Sequence, residues 1–156
     1  MNPRIARRPG ENLPRLARLI RESIDRTELD LRRLHVLTEA ASGPYVVTPV
    51  IAAAAGAEVV ALTADSDFGS ASCIQEATMQ LAGLLDVADR IVVTQEKTVE
   101  QFAAADVITN SGHVRPITGV FAGAIRPDAV VPLMFETCHG TVSAYGRCAW
   151  EFPFST

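Results

Sequence analysis

The chain has 156 residues, a net charge of −4, 48% hydrophobic residues and only 6% aromatic ones. That length suits one domain, which buries roughly two-thirds of its unfolded surface, here in an aliphatic, alanine-rich core. No apolar run approaches the ~18 residues that a membrane-crossing helix requires, and the amino terminus lacks a signal-peptide core, so the expected setting is soluble and cytoplasmic.

Residues 1–11 read as a flexible basic leader. Nine of the 13 arginines fall in the first 33 residues, which carry +4 against −8 for the remainder. The same segment holds Glu11, Glu22, Asp25, Glu28 and Asp30. Arg18 with Glu22, and Arg21 with Asp25, have the spacing of solvated ion pairs on a helix surface. A mixed-charge exposed helix therefore accounts for the basic residues, and nucleic acid is not the expected partner. Leu13, Leu16, Ala17, Ile20 and Ile24 recur at helical spacing behind Asn12, a good N-cap, and predict a helix ending near Thr27.

Four aliphatic runs then stop at a threonine: residues 34–38, 58–63, 90–94 and 106–109. Strands that are hydrophobic almost throughout are buried on both faces, as in a parallel sheet with helices above and below. The segments between these runs are long enough for helices. The first helix after a strand starts at Thr48-Pro49 and stops at Gly56. Ser72-Cys73-Ile74-Gln75 has the form of a capping box for the next, and Thr98-Val99-Glu100-Gln101 repeats that signal for a short third one. Arg126-Pro127-Asp128 is a turn, and residues 129–134 read as a fifth strand whose Pro132 suits a sheet edge or a strand end.

The expected organisation is a single domain over residues 12–136, followed by an irregular tail over 137–156. Cys73, Cys138 and Cys148 make neither a CxxC site nor a paired framework, which points to reduced thiols. Cys138-His139 with Cys148 lacks a fourth zinc ligand at suitable spacing, so no metal is expected.

In open parallel sheets, ligands bind just past the carboxyl ends of the strands, so the threonine tips mark the working edge. Ala41-Ser42-Gly43 after the first strand forms a small-residue turn leading into a helix, the arrangement that receives a phosphate on free backbone N–H groups. Only Gly43 of the GxGxxG pattern is present. Thr63 takes the place of the acid that dinucleotide enzymes carry at the end of the second strand, and Asp65 follows two residues later. Asp65 either holds ribose hydroxyls or caps the next helix. No arginine for a 2′-phosphate lies beside it, which favours NAD over NADP. Asn110, Ser111 and Gly112 leave the fourth strand as a small polar segment. His113 and Arg115 follow, offering a proton shuttle and a carboxylate clamp. Glu39 and Glu136 reach the same edge as candidate general bases, or as solvated strand-end carboxylates.

The order strand, small-residue turn, Pro-led alanine helix, Gly56-Ala57, strand, then Ala105-Asp106-Val107-Ile108-Thr109-Asn110-Ser111-Gly112 resembles the NAD(P)-binding Rossmann domain of dehydrogenase and ornithine cyclodeaminase-type proteins. The resemblance spans roughly residues 30–136. It implies a doubly wound α/β fold, a parallel sheet of about five strands in the order 3-2-1-4-5, preceded by an N-terminal helix. It also implies a nucleotide cofactor, NAD or NADP, with hydride transfer to a small polar metabolite. Ala41, Ser42, Gly43, Thr63, Asp65, Asn110, Ser111 and Gly112 would line the cofactor site, and His113, Arg115 and Glu39 would act on the substrate. A separate substrate domain or a second copy of the chain would complete the cleft. Two other readings stand beside it: a non-catalytic Rossmann module that senses a small molecule or scaffolds an assembly, and an S-adenosylmethionine-dependent methyltransferase, since residues 36–43 loosely imitate that family's first loop.

Overall fold

A computed structural model describes residues 12–132. The first helix, α1 (Leu13–Thr27), is where its apolar spacing puts it. Asn12 accepts the Arg15 N–H at 3.1 Å as N-cap, and Ala17 and Ile20 are the buried positions of its stripe. Arg18 pairs with Glu22 on the outer face at 3.1 Å. Four strands follow, β1 (His35–Glu39), β2 (Glu58–Leu62), β3 (Ile91–Thr94) and β4 (Val107–Ile108), one from each of the four aliphatic runs. All their pairings are parallel, and their order is β3-β2-β1-β4. The protein is thus a parallel α/β fold of Rossmann-like topology.

That order dictates the layering. From β1 to β2 to β3 the chain steps in one direction, through α2 (Val47–Ala54) and α3 (Ala71–Gly83). It then returns across the sheet through α4 (Val99–Ala104) to lay β4 on the free side of β1. Right-handed crossovers place outward steps and a return step on opposite faces. Val36, Val59, Ala61 and Ile91 accordingly pack with Ala17, Ile20, Val50, Ala53, Ile74 and Leu81 from α1, α2 and α3. Leu37, Leu62 and Ile108, pointing the other way, pack with Phe102 of α4 and with Phe121 of α5 (Gly119–Ala124). The Phe102 and Phe121 rings lie 4.7 Å apart between centroids. Alternation of side chains along each strand supplies both cores from the same few residues.

Several local details differ from the sequence expectation. Helix α2 begins at Val47, out of a 3-10 turn over Gly43–Val46, so Thr48 is inside the helix rather than its cap. Helix α3 starts earlier than the Ser72 capping box: Ser70 is the N-cap, and Asp65 accepts the Ala71 N–H at 2.7 Å. With two oxygens available for the first free N–H groups, the helix gains a residue ahead of Ser72. The Thr98–Gln101 capping box forms as written. Of the expected fifth strand, Val130 makes a parallel bridge to Val107 on the outer side of β4, exchanging hydrogen bonds with Asp106 and Ile108. Pro132, two residues on, has no N–H with which to extend that pairing. Residues 133–134, Glu136 and the tail, with Cys138, His139 and Cys148, lie outside the described residues, as does the leader. Cys73 is exposed and free.

The amino-terminal edge of the sheet is held by matched polar groups. Asp106 accepts the His35 N–H at 2.8 Å and pairs with Arg126 at 2.9 Å, tying the starts of β1 and β4 to the turn before Val130. Arg90 donates to the Gly56 carbonyl at 2.9 Å. Gly56, at φ +105°, presses on Arg32, and a Cβ there would overlap that side chain. Only glycine makes this reversal from α2 into β2 without strain.

Two outcomes are expected from these contacts. Phe102→Ala should lower unfolding free energy by about 3–5 kcal/mol in a denaturant titration, since the ring is wholly buried. The Asp106 carboxyl is held below its ordinary value, first by the His35 N–H and then by Arg126, against the cost of desolvation. A carboxyl depressed on folding stabilises above its unfolded pKa, roughly 3.9, and that contribution is lost as pH falls towards the folded value. The Tm gap between wild type and Asp106→Asn should therefore be widest near neutrality and close below about pH 4.

Candidate functional site

The carboxyl ends of the four strands form the opposite edge. Their side chains are small and polar because each aliphatic run gives way to Thr, Glu, Asn or Ser. Register sets the arrangement. Leu37 faces Ile108 across β1 and β4, so Thr38 comes level with Thr109 and Glu39 with Asn110. Thr109 donates its hydroxyl to Thr38 at 2.8 Å and shares a 3.1 Å hydrogen bond with Ser111. This hydroxyl chain staples β1 to the exit of β4. Glu39 also pairs with Leu62 in β2, which puts Thr63 just beyond it on the neighbouring strand.

Three polar side chains at this edge are buried, and two of them hold an atom without a partner among the described residues. Glu39 is 5% exposed. Asn110 is 2% exposed with no partner for Nδ2, and Thr63 is 4% exposed with none for Oγ1. Leaving a buried polar group unpaired costs about 1–3 kcal/mol each, more for a charge. Native proteins tolerate that chiefly where a ligand, water or ion completes the set.

Gly112 closes over Glu39. It sits at φ +36°, and a Cβ on it would collide with the Glu39 carboxylate. The absence of a side chain at Gly112 is thus what admits a carboxylate at the end of β1. A short 3-10 turn over Gly112–Val114 follows and carries His113, half-buried, and then Arg115 on the surface. Lys97, just before the N-cap of α4 in the β3–α4 connection, anchors this turn. Its Nζ donates to the carbonyls of Val114 at 2.7 Å and Pro116 at 2.8 Å and lies 4.8 Å from the centre of the Phe121 ring. Burial pushes the Lys97 ammonium below its ordinary range.

Of the residues singled out from the sequence, the structure gathers Glu39, Thr63, Asn110, Ser111 and Gly112 at the junction of β1, β2 and β4. Ala41, Ser42 and Gly43 lie in the loop directly after Glu39, and Gly43 adopts φ +65°. Asp65 is spent as a helix cap on Ala71. The β2–α3 loop beside it is a paired turn, Ser66 against Gly69, with Gly69 approaching Ser42. It holds Phe68 out at 85% exposure. Sequence reasoning passed over Lys97. The signal was there, because it is the sole lysine among 14 basic residues, and an ammonium can donate to two carbonyls from one point. A groove of about 210 Å³ lined by Arg21, Ile24, Asp25, Ala54, Leu85 and Val87 lies on the α1–α2–α3 face, by the amino ends of β2 and β3. It lies at the opposite edge from the unpaired polar atoms of Thr63 and Asn110.

By fold, the chain is a Rossmann-like α/β protein with its buried polar residues concentrated where β1 and β4 diverge. No protein-family model matches the sequence, and no curated protein matches it significantly. Among the described residues no cluster of His, Cys, Asp and Glu has the form of a metal site, and no helix is long and apolar enough to cross a membrane.

Lys97→Met should remove the ammonium from over the Phe121 ring and leave the Val114 and Pro116 carbonyls without that donor. The expected loss is about 1–3 kcal/mol in chemical denaturation, with faster amide hydrogen exchange confined to residues 111–117. An unchanged midpoint would show that the turn stands without its anchor.

Proposed function

We propose that the crevice between the carboxyl ends of β1 and β4 binds a small molecule, and that a nucleotide cofactor, NAD ahead of NADP, is its first candidate. The observation that carries this reading is the pair of buried polar atoms, Thr63 Oγ1 and Asn110 Nδ2, without a partner among the described residues, beside Glu39 at the switch point of the sheet. In open α/β sheets that crevice is the place where ligands bind. A ligand in it would approach the backbone of residues 41–43, where small side chains leave room. The nicotinamide end would reach the exit of β4, with His113 and Arg115 beyond it. His113 would shuttle the proton that accompanies hydride transfer, Arg115 would clamp a carboxylate, and Glu39 would accept hydrogen bonds or a proton from the substrate. The protein would then be an oxidoreductase-type module acting on a small polar metabolite, with a second subunit or domain supplying the rest of the substrate surface.

One observation favours a second reading, a module that senses its small molecule without turning it over. The acid nearest the end of β2, Asp65, already caps α3, and the turn after β1 offers a single glycine. A site whose expected ribose acid is committed to a helix suits a ligand smaller than a dinucleotide.

Titration calorimetry on the folded chain separates these. Saturable heats with NAD(H) at micromolar to millimolar concentration, weakened about tenfold or 1.4 kcal/mol by Asn110→Ala, are expected for a cofactor site. Flat heats for both NAD(H) and NADP(H) would remove the cofactor. Turnover of amino or hydroxy acids with NAD would remove the sensor.

A further inference from the structure

We infer that the free edge of β3 is a self-association surface, through which two copies of this chain pair antiparallel into one continuous sheet with four strands from each copy. The contact is independent of what the crevice binds. The two outer edges of the sheet differ. Beyond β4 the Val130 bridge covers the edge, whereas beyond β3 nothing among the described residues pairs. Sheet edges are ordinarily blunted by charge, proline or a bulge. Ile91-Val92-Val93-Thr94 carries none of these: all four residues are β-branched, their register against β2 is unbroken, and Val92 is 61% exposed.

Hydrogen-bond parity sets the pairing. Thr94 turns its carbonyl inward to the Thr63 N–H at 2.9 Å, so alternation along the strand turns Val92 inward and Ile91 and Val93 outward. The Val93 N–H and C=O therefore face away from β2, and nothing among the described residues meets them. Ile91 gives its N–H to Ala88 and keeps its carbonyl. A two-fold axis at Val93 sets that residue against itself with both backbone bonds exchanged, and brings the Gln95 N–H to the free Ile91 carbonyl of the second copy. It also sets Arg90 opposite the exposed Glu96 of the second copy, twice over, as an opposite-charge cross-strand pair. Arg90 spends one N–H on the Gly56 carbonyl, and its 3.9 Å approach to Glu58 is too long for a hydrogen bond. The neighbouring registers are poorer. An axis at Val92 calls on the Ile91 N–H that Ala88 already holds, and an axis at Thr94 sets Val92 against Glu96. Antiparallel joining points the two carboxyl edges in opposite directions, which leaves both crevices accessible.

Sedimentation equilibrium on the full chain from micromolar to millimolar concentration, with amide hydrogen exchange at both extremes, tests this. A contact this small makes a weak dimer. The mass should rise with concentration from 16.7 kDa towards twice that value, and exchange at Val93 should slow in step. Val93→Pro removes the central N–H on the side away from the β2 ladder and should hold the chain monomeric. Glu96→Lys alters an exposed side chain, sets like charges opposite Arg90, and should weaken the dimer about tenfold at low salt. That second variant decides the matter even if Val93→Pro folds poorly. A chain monomeric throughout, a dimer that Glu96→Lys leaves unchanged, or Val93 protection independent of concentration, as when a segment of the same chain covers the edge, would each overturn the inference.

Discussion

Strand β1 bonds on both sides, to β2 and to β4, and the rest of the molecule depends on that double pairing. The chain can reach β4's position only by crossing back over the sheet after β3, which sends α4 to the face that α2 and α3 leave bare. Two cores result from one sheet, the aliphatic one under α1, α2 and α3 and the Phe102–Phe121 one under α4 and α5. In open α/β sheets, the point where the connections from β1 and β4 leave in opposite directions is where ligands bind.

Chemistry then distinguishes the two edges. At the amino edge, charges find partners: Asp106 with the His35 N–H and Arg126, Arg90 with the Gly56 carbonyl. At the carboxyl edge the hydroxyls of Thr38, Thr109 and Ser111 satisfy one another, whereas Thr63 Oγ1 and Asn110 Nδ2 are buried without a partner among the described residues. A sequence selected for stability alone would replace Thr63 and Asn110 with residues that leave no buried polar atom unpaired. Gly112 makes the point a second time, since its missing side chain is what leaves space for the carboxylate. Stability given up at one edge and preserved at the other is the expected signature of a site.

Much of this was legible from residues. The four strands could be read because runs such as residues 58–63 and 90–94 have no polar face, and parallel pairing follows from that. Asn12 and Thr98 marked helix starts because each must satisfy free N–H groups with its own side chain. Ser72 misled for the same reason: Ser70 offers equal chemistry two residues earlier, and Asp65 reaches in from the preceding loop, which no local pattern reveals. Residues 112–124 were opaque. The turn carrying His113 is held by Lys97 from another connection, and the short helix Gly119–Ala124 has too few residues to show a period. The candidate site was legible as a set of strand tips. Its decisive property, that Thr63 and Asn110 bury polar atoms without partners among the described residues beside Glu39, depends on the register of β2, β1 and β4, and so required the structure.

The most direct measurement is a map of backbone and Asn side-chain amide shifts during titration of the full chain with NAD(H). The account predicts that a binding ligand moves the signals of Glu39, Thr63, Asn110 and Gly112, the Asn110 side-chain amide most of all, and leaves His35, Gly56 and Asp106 at the far edge unmoved. Shifts centred on that amino edge, or on the groove of Arg21, Leu85 and Val87, would contradict it.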